Sequence, residues 1–161
     1  MKSFSRTSFF APWLSGPKSD RRGDSFDLFI SYGSEDAPGI VWPLTQALQA
    51  QGIRYFLDSE QVGWGESVQH RVSHGLTCSR YVLSVITLHS LRKNWVRAEL
   101  QAALQQQIAE GRTKVLPMIA GTAWQKTYIL KQLPLLHGFR YIEWRNNPGD
   151  IAQLLLNRLH Y

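Results

Sequence analysis

"FDLFISYGSED", Phe26 to Asp36, decides how this chain folds. Its first seven residues, Phe26–Tyr32, are a short run of mostly apolar β-formers that stops at Gly33. A strand with no clear polar face has no side to turn toward water, so it reads as buried on both faces. The polar turn "GSEDAPG" then carries the chain out of the strand.

Helix and strand signals alternate from there. Ile40, Val41, Leu44, Ala47, Leu48 and Gln51 follow helical spacing, and Gly52 ends the run. Pro43 fits only near a first turn, so that helix is expected to start close to Ile40. "IRYFL" (53–57), "RYVLSVI" (80–86), "KVLPMIA" (114–120) and "FRYIEW" (139–144) read as four more strands. Val68, Val72 and Leu76 mark a short helix, Asn94 to about Glu110 a long one, and Ile151 to Leu159 a closing one. Such alternation calls for an α/β fold, a parallel sheet with helices on both faces. Ligands in such folds bind beyond the carboxyl ends of the strands. Here those ends are the loops after Tyr32, Leu57, Thr87 and Ala120.

Composition narrows the class. At 161 residues the chain fits one domain with a full core. The lone Cys78 excludes an internal disulfide and fits a reducing, cytoplasmic compartment, where it would be a small buried hydrophobe. No apolar run is long enough to span a membrane. Net charge is +6, and half of it lies in residues 1–25. Residues 1–24 read as a separate extension, holding Phe4, Phe9, Phe10, Trp13 and Leu14 among basic and small residues. A flexible leader, an arm docking on a neighbour and a transit peptide are all compatible with it. The main body lacks a stripe of Lys/Arg interleaved with aromatics, so nucleic acid is not the expected partner.

Familiar chemical motifs are missing. The chain has no phosphate loop, no G-x-G-x-x-G and no G-x-S-x-G. His70 and His74 share a helix face, but Arg71 stands between them and no third ligand is evident, so no metal is expected. Trp64, between Gly63 and Gly65, either folds back onto the surface or contacts a partner or flat ligand. The remaining candidate is "NWVRAEL" (94–100). Glu99 is the only acid between Glu66 and Glu110, a stretch holding Arg71, Arg80, Arg92, Lys93 and Arg97. With Asn94 as N-cap, a capping box needs Glu or Gln where Arg97 stands, so capping does not account for Glu99. Leu100 and Leu104, with Val96 and Ala103, would pack on the sheet. Trp95 and Glu99, four residues apart, would flank that face, a carboxylate beside an indole at the strand ends.

These segments together resemble the Toll/interleukin receptor (TIR) domain. The resemblance runs from about Ser25 to Leu159, leaving 25–161 as the TIR domain. "FDLFISYGSED" is similar to the family's first strand and following loop, and "GIRYFLD" with "GWGESV" to its second strand and BB loop. "SRYVLSVIT", "NWVRAEL" (as W-x-x-x-E) and "KVLPMI" follow in the family's order. The resemblance implies a flavodoxin-like, five-stranded parallel sheet of order 2-1-3-4-5. It also implies an NAD-cleaving enzyme with Glu99 catalytic and Tyr32, Gly33, Ser34, Asp58 and Trp95 binding NAD. NAD would be a substrate, and no cofactor is implied. Gly63, Trp64 and Gly65 would lie in the BB loop that completes a neighbour's site in a homo-oligomer or filament. Bacterial anti-phage immunity, activation by self-assembly and a separate sensor or effector protein complete the expectation. A non-catalytic assembly module and a host-targeted bacterial effector are the alternatives within the family. A nucleoside deoxyribosyltransferase-like enzyme also uses a Glu on a similar fold, but it leaves the BB-loop and W-x-x-x-E segments unexplained.

Overall fold

A computed structural model describes residues 26–59, 79–92 and 115–160, with residues 100, 101, 104, 105, 107 and 109 between them. The expected helix at 68–76, His70, His74 and Cys78 lie outside the described residues, as do residues 1–24.

Five strands form one parallel sheet: β1 (Phe26–Tyr32), β2 (Tyr55–Ser59), β3 (Ser79–Ile86), β4 (Val115–Ala120) and β5 (Ile142–Trp144). Their order is β2-β1-β3-β4-β5, as the family resemblance implied. The register aligns Ile30 with Leu57 on one side and with Leu83 on the other. Pro117 sits just ahead of the β4–β5 ladder, which starts at Met118, so its missing N–H removes no bond from that ladder.

Helices cover both faces because successive strand residues point to opposite sides. Leu28, Ile30, Leu83, Val85, Leu116 and Met118 face α1 (Trp42–Ala50) and α4 (Pro148–Leu159), packing with Leu44, Leu48, Ile151 and Leu155. Ile86, Val115 and Ile119 face the other way, onto Leu91, Leu100, Leu104, Ile129 and Leu133. That second layer holds α2 (Leu88–Leu91), α3 (Ala123–Gln132) and the helical segment through Leu100 and Leu104. Complete burial of each of these Leu or Ile side chains is worth about 1.5–3 kcal/mol.

Several boundaries differ from the sequence reading; the closing helix, for one, starts at Pro148 rather than Ile151. The helix expected near Ile40 opens as a π turn at Ala37–Val41, closed by Trp42 N–H on the Ala37 carbonyl, and becomes α-helical at Trp42. Pro43 is the physical reason, since it cannot donate to residue 39 and its ring crowds that carbonyl. β2 spans Tyr55–Ser59 rather than 53–57, because its pairing with β1 begins at Leu28 and continues as far as Tyr32. The last strand shrinks to Ile142–Trp144, since β4 offers partners only from Met118 onward. The stretch between β4 and β5 holds α3 and a 3-10 turn at Pro134–Gly138, which the periodicity did not reveal.

Candidate functional site

The strand order reverses direction between β1 and β3: from β1 the chain goes outward to β2, and from β3 outward to β4 and β5. The loops leaving these two strands therefore diverge and open a crevice at their carboxyl ends.

At the β1 end, Tyr32 is buried in the core cluster at 5% exposure. Gly33 is extended (φ −80°, ψ 143°), and Ser34–Asp36 turn back as a 3-10 element, with Asp36 N–H donating to the Gly33 carbonyl at 3.0 Å. Gly33 is buried, Ser34 half-buried and Glu35 exposed, so the turn shows Ser34 and Glu35 to solvent while Asp36 faces inward. At the β3 end, Thr87 caps α2. Its Oγ1 accepts from Ser90 N–H at 3.2 Å, and Ser90 Oγ accepts from Thr87 N–H at 2.9 Å. This reciprocal box satisfies two helix-end donors.

A hydrogen bond joins the two ends. Thr87 Oγ1 donates to Asp36 Oδ2 at 2.6 Å, and Asp36, Thr87 and Ser90 are all buried. A hydroxyl-to-carboxylate bond of this length belongs to the strong, charge-assisted class. Buried carboxylates are costly without such partners.

The other expected site residues divide by where they fall. Asp58 lies on β2 with its backbone in register with Ser31, one residue short of the β1 end. That register brings Asp58 to the same sheet end as Tyr32, Gly33 and Ser34; its side chain lies outside the described residues. Trp95 and Glu99 lie outside the described residues, and so do Gly63, Trp64 and Gly65. Leu100 and Leu104 are buried in the core cluster, so the packing face expected for that helix is present at both described positions.

Two features escaped the sequence reading. A cavity of 390 Å³ opens between α2 and α3, lined by Leu88, Leu91, Arg92, Trp124, Tyr128 and Gln132. Trp124, 69% exposed, stacks on Tyr128 with ring centroids 5.8 Å apart and planes 17° apart. The signal was present as "TAWQ", a T-x-x-Q capping box at Thr122–Gln125, with Trp124 inside it and Tyr128 four residues further along. The second is a charged cluster joining α3 to β5. Lys126 Nζ donates to Glu143 Oε1 and also lies 5.2 Å from the Tyr141 ring centroid, while Arg145 donates to Glu143 Oε2. The hydrogen bond from Lys126, then that from Arg145, holds the Glu143 carboxyl below its usual range; the same Glu143 bond raises Lys126. Among the described residues no group of three or more His, Cys, Asp or Glu could hold a metal ion, and no helix is long and apolar enough to cross a membrane.

The family model described as TIR domain matches residues 28–156. A "Probable 2' cyclic ADP-D-ribose synthase TcpB" of Brucella abortus (strain 2308) is 32% identical over 95 residues, covering 59% of this chain and 38% of the relative. The "NAD(+) hydrolase PdTIR" of Paracoccus denitrificans (strain Pd 1222) is 32% identical over 92 residues, covering 57% and 30%. The chain thus spans about a third of the length of these curated relatives. Among solved structures, the TIR domains of the activated Roq1 resistosome superpose with a TM-score of 0.59 at 21% identity, covering 83% of this chain and 99% of theirs.

Proposed function

Because this chain belongs to the TIR domain family, we propose that it cleaves the nicotinamide–ribose bond of NAD. The observation that supports this reading most is the meeting of the Gly33–Asp36 turn with the Thr87 cap at the point where strand order reverses. That junction forms one wall of the crevice in which such folds hold nucleotides. Relatives named as a cyclic ADP-ribose synthase and an NAD(+) hydrolase support the same chemistry.

One carboxylate suffices for it. Glycosidases generally use two, because an alkoxide leaving group must be protonated. Nicotinamide leaves from a pyridinium and departs neutral, so no general acid is needed. As the bond breaks, the ribose takes up positive charge, and Glu99 in this proposal is the anion set against it. A preorganised electrostatic group of this kind is worth about 3–4 kcal/mol. Trp95 stacks on a ring and excludes water; Tyr32, Gly33, Ser34 and Asp58 form the substrate side. Capture of the cation by water gives ADP-ribose, and capture by a nucleophile within the same molecule gives a cyclic product. NAD is consumed, and no cofactor enters the scheme.

Activation through self-assembly belongs to the proposal, with Gly63, Trp64 and Gly65 of one copy completing the site of the next. Bacterial immunity, with a separate sensor or effector as trigger, is the setting it fits. The test is nicotinamide release from NAD by the full chain, with and without a crowding agent, with products identified by mass spectrometry. Release that disappears in Glu99→Ala supports the assignment. Release that persists in Glu99→Ala removes Glu99 from it, and no release under any assembling condition removes the enzyme reading. A second reading, an assembly module without catalysis, is favoured by the exposed Trp124–Tyr128 pair, a surface suited to docking. Oligomers that form without NAD loss would select it.

A further inference from the structure

We infer that Asp36 is a positioning residue of the site: through its bond to Thr87 it holds the loop leaving β1 at a fixed distance from the segment leaving β3. The inference rests on the NAD-cleaving reading and adds to it a residue that touches neither substrate nor reacting atoms.

The two partners lie 51 residues apart in sequence, on the loops that flank the reversal of strand order. Sheet hydrogen bonds fix β1 against β3 as far as the pair Ser31–Ser84. Beyond that pair the ladder ends, and the loops diverge by topology. Asp36 restores a connection there. Its own turn is closed by the backbone bond to Gly33, and Thr87 is held by the reciprocal box with Ser90 and by Leu91 N–H on the Thr87 carbonyl at 2.9 Å. Both ends of the strap are therefore rigid, and the bond between them is shielded from water, with Asp36 6% and Thr87 5% exposed. The β1 side carries Gly33 and Ser34, and the chain beyond Thr87 leads on to Trp95 and Glu99. A strap of this kind sets the relative position of two halves of a site. Misplacement of reacting groups by about 1 Å can cost on the order of 100-fold in rate.

The test compares Thr87→Val, Thr87→Ser, Asp36→Asn and the double variant Asp36→Asn/Thr87→Val in the full chain. Two readouts are used: nicotinamide release from NAD, and amide hydrogen exchange of Ser34–Asp36 and Ser90–Leu91. Thr87→Val should lower kcat by about 10- to 100-fold with KM changed by less than about threefold. Thr87→Ser, which keeps the hydroxyl, should stay within about threefold of the parent. Thr87→Val removes the donor of the shared bond, so adding Asp36→Asn to it should cost less than Asp36→Asn costs in the parent. Thr87→Val should also speed exchange at Ser34–Asp36, across the strap. Parental kcat in Thr87→Val, or an equal loss in Thr87→Ser, overturns the inference and leaves the NAD reading standing. A parent chain that releases no nicotinamide while Thr87→Val still loosens Ser34–Asp36 overturns the NAD reading; the strap then survives as a structural link without a catalytic role.

Discussion

Single residues in this fold act mainly by closing donors at the ends of elements. Gly121 follows β4 with φ at +144°, and a Cβ there would meet Gln125 Oε1 at 2.5 Å. That oxygen accepts from Thr122 N–H and completes the box that starts α3. Gly121→Ala should therefore cost about 1–3 kcal/mol in urea unfolding, through strain and a broken cap together. Glu143 makes a pH prediction. Its folded pKa is depressed, first by the Lys126 bond and then by Arg145, so its contribution is fully present above the ordinary glutamate range and fades as pH falls through the lower folded value. Lys126, raised by the same bond, loses its share only as pH climbs through its folded value. Glu143→Gln should lower stability by about 0.3–1 kcal/mol at neutral pH, and the difference should vanish in strong acid in thermal melts across pH. Glu143 and Lys126 are 17 residues apart, so nothing in sequence spacing announced their pairing. The isolation of Glu99 among bases was legible at once, because charge pattern needs no coordinates.

At the scale of elements, α3 separates what packing does from what pattern shows. Ile129 is its one fully buried residue, and Trp124 on the same helix is largely exposed. Ile129→Ala should cost about 2–5 kcal/mol by leaving a cavity in the second core layer. Trp124→Ala should change stability by less than about 0.5 kcal/mol. Parallel chemical denaturation of the two variants checks both figures. A helix with so narrow a buried stripe gives little periodic signal, which is why α3 was missed while α1 and α4, each with a wider apolar face, were found. The start of α1 shows the opposite case. Pro43 correctly located the first turn, yet no rule of spacing says that the preceding turn widens to a π turn. The strands were readable because β1, β3 and β4 are buried on both faces and lack the alternation of a half-solvated sheet.

For the whole molecule, the proposal makes activity a property of the assembly. Nicotinamide release per chain should rise with protein concentration, and Trp64→Ala should flatten that dependence. Light scattering alongside NAD turnover reads both. If Trp64→Ala keeps the parental concentration dependence, the role given to the Gly63–Gly65 loop fails and that of Glu99 is untouched.

The sequence by itself determined the class: buried strands alternating with amphipathic helices admit a parallel α/β sheet and little else, since each strand face must find an apolar cover. It also put forward candidates for the chemistry: Glu99 beside Trp95 by charge pattern and spacing, and the others through the family resemblance. The tertiary structure decided which loops meet. Asp36 and Thr87 come within 2.6 Å only because β1 and β3 are neighbours at the reversal point. Contact between residues distant in sequence follows from strand order, which the family resemblance implied and the sheet's hydrogen bonds fix.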